Sequence, residues 1–121
     1  MPRKISRKGL KRRADKIFSA WIRSEGYCEW CGDVNDTLQC AHIFSRRYMS
    51  TRYDYNNAVC LCASCHFKAH AQPIEFAEFV KRYLGNKGYA DLRRKAKTSI
   101  KKVDLQAIIE KYTNLLKEQT Q

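Results

Sequence analysis

Residues 56–70 read NNAVCLCASCHFKAH and carry three cysteines and two of the chain's three histidines. Thiolates and imidazoles side by side serve either one metal ion or two ions with different tasks. Spacing decides between these. Cys62 and Cys65 form a Cys-x2-Cys pair, and Cys28-Glu-Trp-Cys31 is a second pair upstream. Each such knuckle offers two sulfurs to one face of a tetrahedron, so two of them make a closed structural zinc site. Cys60 competes for a place in it. The Cys-x2-Cys spacing is the commoner zinc geometry, which leaves Cys60 and Cys40 as small residues buried in strands. A helix beginning near Ala63 turns about 100° per residue, so Cys65 and His66 face different ways. His66 and His70 are four apart and share a face. One short helix then presents a thiolate to zinc and two imidazoles to a second site, suited to a divalent ion with open positions.

Working outward, residues 37–43 read as a strand carrying the third histidine, His42. Residues 57–61 read as a second strand running into the knuckle. A hairpin with a long loop brings His42 across from the helix, where an imidazole titrating near neutrality suits a general base. Residues 1–8 read as a flexible basic arm. Leu10, Ala14, Ile17, Phe18, Trp21 and Ile22 repeat at helical spacing until Gly26. Pro73 opens another helix with Ile74, Phe76, Ala77, Val80, Tyr83 and Leu84, ending at Gly85. A basic helix is expected over 89–97. A last one follows Asp104 as N-cap, with Leu105, Ile108, Ile109, Tyr112, Leu115 and Leu116 on one face. That face is expected to pack on the core, with a homodimer seam as its other use. The chain divides into 1–26 (basic arm and first helix), 27–72 (metal core) and 73–121 (helical extension).

The 121 residues include 24 Lys and Arg against 12 Asp and Glu, a net charge of +12. Such an excess favours a polyanion, through phosphate neutralisation and counterion release. The charge is clustered: Arg3, Lys4, Arg7, Lys8, Lys11, Arg12 and Arg13 form one group, and Arg93, Arg94, Lys95, Lys97, Lys101 and Lys102 another. A nucleic acid is the expected partner. No apolar run approaches the roughly 18 residues needed to cross a bilayer, so no membrane partner is expected. The basic N-terminus has no apolar stretch behind it, which argues against a secretory signal and for a cytoplasmic protein whose six cysteines ligate metal rather than form disulfides.

His42, Asn57 and His66, with Cys28-x2-Cys31 and Asn57-x4-Cys62-x2-Cys65-His66-x3-His70, resemble the HNH endonucleases of ββα-metal fold. The spacing CAHIFSRR…TRYDYNNAVCLC is also similar to phage HNH proteins and, more loosely, to the NinG/Rap recombination proteins. The resemblance implies an α+β fold, a small zinc-stabilised ββα-metal core with flanking helices. It implies metal-dependent hydrolysis of DNA in phage DNA processing or recombination, in the host cytoplasm if the chain is phage-encoded. His42 would be the general base, Asn57 would touch the metal or fix the loop, and His66 and His70 would hold the catalytic ion. Products would carry 5′-phosphate and 3′-hydroxyl ends. Many family members place an acidic metal ligand just before the first histidine, where this chain has Ala41. The acidic candidate to stand in for it is Asp54, which also reads as a turn cap before Asn56. Two imidazoles without a carboxylate would accept Mn²⁺, Ni²⁺ or Zn²⁺ as readily as Mg²⁺. Arg46, Arg47 and Arg52, with Arg93, Arg94 and Lys95, are the expected phosphate contacts. The rival reading is a zinc-stabilised nucleic-acid-binding module without catalysis.

Overall fold

The computed structural model describes residues 4–100 and 102–119. Arg3 and Lys101 of the two basic clusters lie outside the described residues. Helix α1 (Arg7–Arg23) begins where the Ser6 hydroxyl accepts from the Gly9 amide at 3.1 Å. Arg7 and Lys8, expected in a flexible arm, are therefore helical. Strands β1 (Leu38–His42) and β2 (Ala58–Cys62) pair antiparallel, with Cys40 opposite Cys60 and His42 opposite Ala58. Helix α2 (Ala63–Ala71) follows β2 without a break, and Cys62 caps it by accepting from the Cys65 amide. This is the ββα core, mixed helix and small sheet, with helices on either side.

A two-stranded hairpin is marginal alone, and here both of its faces are covered. Val59 and Leu61 of β2 and Ala41 of β1 join Ala69, Phe79 and Val80 on one side. Ala58 and Cys60, alternating with them, join Ala14, Phe18, Leu105 and Tyr112 on the other. The hairpin thus lies between α2 with α3 (Pro73–Lys97) and α1 with α4 (Leu105–Gln119). Every residue of β2 is buried.

Gly85 does not end its helix. It takes φ +76°, a backbone region glycine enters without penalty, and the chain re-enters helix at once in a new direction. The redirected half brings Tyr89 to 5.6 Å from the Phe44 ring. Its end is tied to the 43–54 loop, where the Ser50 hydroxyl donates to the Lys95 carbonyl at 2.7 Å. In α4, the Asp104 carboxylate accepts from the Ala107 amide at 3.0 Å. The Tyr112 ring meets Phe18 edge-on at 5.0 Å, and its hydroxyl donates to the Tyr53 carbonyl. The apolar face of α4 is spent on α1 within the chain. Among the described residues no helix is long and apolar enough to cross a membrane.

Candidate functional site

Two knuckles bring four sulfurs together. In the first, the Cys28 amide donates to Asp33, the Gly32 amide donates to the Cys28 carbonyl at 2.7 Å, and Gly32 turns at φ +81°. The Cys31 amide then points at the Cys28 sulfur at 3.5 Å, as the Cys65 amide does at Cys62 at 3.4 Å. The ligand atoms of Cys28, Cys31, Cys62 and Cys65 all lie within 4.8 Å of one another. Zn–S bonds of about 2.3 Å place tetrahedral sulfurs about 3.8 Å apart, and the Cys31 and Cys62 sulfurs stand at 3.8 Å. Burial pushes the Cys28 thiol up, but amides of Cys31, Cys62 and Trp30 outweigh it and bring it down to about 7. Burial and neighbouring thiols push Cys62 and Cys65 up. A cation relieves that crowding of thiolates, so the donor set is compatible with structural zinc. Cys40 and Cys60 lie outside the cluster, and burial raises them to about 12 and about 11, which keeps them protonated.

On the other face of α2, the His66 and His70 rings stand 5.1 Å apart. Both line a cavity of about 580 Å³ together with His42, Ala41, Arg46 and Asp15. The strand explains how these residues meet. Residues 40 and 42 of β1 face α1, while 39 and 41 face α2. The cavity opens at the end of β1 and draws from both faces. Ala41 faces α2, so a carboxylate at that position would have pointed toward the two histidines.

The Gln39 carboxamide oxygen lies 2.6 Å from His66 Nδ1. An oxygen there only accepts, so Nδ1 carries the proton and Nε2 keeps its lone pair, the form a metal ligand needs. Burial, then the neighbouring His70, hold His66 below its ordinary value, which favours the neutral imidazole that binds metal. The sequence gives no sign of this role for Gln39, because a lone glutamine in a strand carries no signal without its partner 27 residues away.

His42 Nε2 lies 2.9 Å from the Arg52 carbonyl, and its ring sits 5.6 Å from Phe18. The carbonyl accepts, so Nε2 carries the proton and Nδ1 is the basic nitrogen. Burial pulls His42 below its ordinary value near 6.5, against the opposing pull of that hydrogen bond.

Asn57 is fully buried and spends its side chain on the loop. Its oxygen accepts from the Phe44 amide at 2.8 Å, and its nitrogen donates to the carbonyls of Phe44 and Thr51 at 3.1 and 3.0 Å. It holds the loop rather than reaching the cavity. Asn57→Ala strands those groups in the interior and should cost about 2–4 kcal/mol. Urea unfolding of zinc-loaded protein measures this, and a loss under about 1 kcal/mol would show that water replaces the amide.

Arg52, an expected phosphate contact, is engaged within the chain. Its Nε and a terminal nitrogen grip the Asp15 carboxylate at 2.9 and 2.6 Å. Arg46 stays largely exposed at the cavity, with a longer contact of 3.8 Å to the same Asp15 carboxylate, and Arg47 is exposed with its guanidinium 5.5 Å over the Tyr48 ring. Asp54 behaves as the turn cap, accepting from the Asn56 amide at 2.9 Å and pairing with Lys95 at 2.6 Å. It lines a different cavity. The carboxylate at the histidine cavity is Asp15 of α1. Arg93 and Lys97 flank a groove beside Tyr89, with Arg94 paired to Asp91 at 3.0 Å.

Residues 26–72 match the family model described as HNH endonuclease. No curated protein and no solved structure matches the chain.

Proposed function

From an HNH endonuclease domain at residues 26–72, we propose that the protein is a metal-dependent endonuclease that hydrolyses DNA phosphodiester bonds in phage DNA processing or recombination. The observation that carries this reading is the convergence of three histidines on one cavity with Arg46 at its rim. Cys28, Cys31, Cys62 and Cys65 would hold a structural zinc. His66 and His70 would hold a catalytic divalent ion, Mg²⁺, Mn²⁺, Ni²⁺ or Zn²⁺. Such an ion polarises the phosphate and stabilises the departing 3′ oxygen when bound. His42 takes a proton from the attacking water at Nδ1 while the Arg52 carbonyl keeps the other nitrogen protonated. Arg46 and Arg47 steady neighbouring phosphates. Asn57 is a positioning residue, acting through the loop that carries Arg46 and Arg52. Pairing of two copies through α4 finds less support, since its apolar face is covered by α1.

The test is incubation of the zinc-loaded protein with supercoiled plasmid and each divalent ion, against a chelator control. Nicked or linear product that needs the ion supports the nuclease. Plasmid binding without cleavage under every ion supports the binding module instead. Cleavage of RNA alone would move the substrate class.

Binding should weaken steeply with salt. Arg93→Gln with Lys97→Gln should flatten the slope of log affinity against log salt by up to about 0.9 for each phosphate no longer neutralised. Lys95→Gln should change it less, because that ammonium is already spent on Asp54. Fluorescence anisotropy across a salt series reads this, and an unchanged slope in the double variant places the groove away from the nucleic acid.

A further inference from the structure

We propose that Asp15, on helix α1 outside the matched segment, is a positioning residue for His42. Its carboxylate clamps the Arg52 guanidinium so that the Arg52 carbonyl holds the imidazole in its Nε2–H tautomer. The link to catalysis rests on the nuclease reading; the clamp and the tautomer do not.

Three observations converge. First, the ion pair is bidentate and partly buried, with the Arg52 side chain 16% exposed and Asp15 25%. Exposed pairs contribute little, but planar two-bond pairing fixes direction as well as distance. Second, the same guanidinium donates to the Arg46 carbonyl at 3.3 Å, so one side chain ties α1 to both ends of the loop segment 46–52. Third, the backbone of that residue makes the contact with His42. From α1, Phe18 sets its ring 5.6 Å from the imidazole. A base that must hand a lone pair to water needs one tautomer, and a backbone carbonyl sets it only if that carbonyl stays in place. The groups charged near His42 are Asp15 from α1 and Arg46 and Arg52 from the loop, with His66 and His70 across the cavity. Asp15 is the acidic member of that set, so it also offsets the charge that forms on the ring when it takes a proton.

The experiment compares wild type, Asp15→Asn, Asp15→Glu and Arg52→Gln as full-length zinc-loaded chains. Long-range ¹H–¹⁵N correlation of the His42 ring reads the tautomer directly. Wild type should show Nε2–H, whereas Asp15→Asn and Arg52→Gln should both show mixed tautomers. Cleavage at saturating plasmid should fall about 10- to 100-fold in each, with DNA affinity unchanged or tighter. Asp15→Glu should restore part of the rate, and combining Asp15→Asn with Arg52→Gln should cost no more than the worse single change. An unaltered Nε2–H tautomer in Asp15→Asn overturns the proposal, because the Asn57 and Tyr112 clasps on the flanking carbonyls would then suffice. Recovery of the Asp15→Asn rate by excess Mn²⁺ overturns it too, by making Asp15 a metal ligand. If wild type cleaves nothing, the nuclease reading fails, and the tautomer measurement still decides the clamp.

Discussion

The Cys62→Ser protein should lose its zinc and, with it, the fold of the 27–72 region. Structural zinc in small domains supplies roughly 10–16 kcal/mol of apparent binding energy at neutral pH, more than a domain of this size has to lose. The substitution is well isolated. Serine is a good N-cap, so the start of α2, which Cys62 caps now, keeps its hydrogen bond to the Cys65 amide. What goes is a buried sulfur 3.8 Å from that of Cys31, and three thiolates remain around a weakened site. Metal analysis should find less than one zinc per chain, and far-ultraviolet circular dichroism should show lost structure at 37 °C. Cys40→Ser, the control, should keep its zinc, because that thiol lies outside the cluster. A folded, zinc-free Cys62→Ser protein would refute the assignment.

His42→Ala should lower cleavage about 10²–10⁴-fold, the usual contribution of a positioned general base. It leaves the zinc cysteines, both α2 histidines and every basic residue in place, so folding, metal content and DNA affinity should stay near wild type. His66→Ala should lose cleavage by a different route, through weaker binding of the catalytic ion. Raising the metal concentration should therefore restore part of its rate, whereas no concentration of metal replaces the missing imidazole at position 42. The pH dependence follows from burial. Holding the His42 ring below 6.5 keeps it neutral, and so able to accept a proton, to more acid pH than a free histidine. The acid limb of the wild-type rate profile should fall below pH 6.5. Equal cleavage by wild type and His42→Ala across that range would remove the base assignment.

Much of the metal core was legible because it is local. A Cys-x2-Cys knuckle needs only the turn between its own residues, and the i, i+4 spacing of His66 and His70 needs only one helical turn. Strand positions, the Pro73 helix start and the Asp104 cap are likewise properties of a few neighbouring residues. Gly85 shows where this runs out. Glycine signals a stop because it leaves the helix readily, but whether the chain resumes depends on what waits for it. Here Phe44 and the 43–54 loop receive Tyr89 and the end of α3.

The carboxylates and arginines mark the same boundary. From sequence, Asp54 is the one acidic residue between His42 and His66, and Arg52 is one more cation in a basic loop. The fold sends Asp54 to cap a turn and pair with Lys95, 41 residues on, and brings Asp15 from 37 residues before Arg52 to the cavity. Ionic pairing is long-ranged and carries no periodicity, so a sequence shows which charges exist but not which are neutralised. Thiolate spacing and helical phase determined which four cysteines cluster and that His66 and His70 share a face. Only the packing of α1 against the hairpin decided which arginine is clamped by two bonds, which carboxylate meets the site, and which nitrogen of His42 keeps its lone pair, because each depends on groups that meet only after the chain has closed on itself.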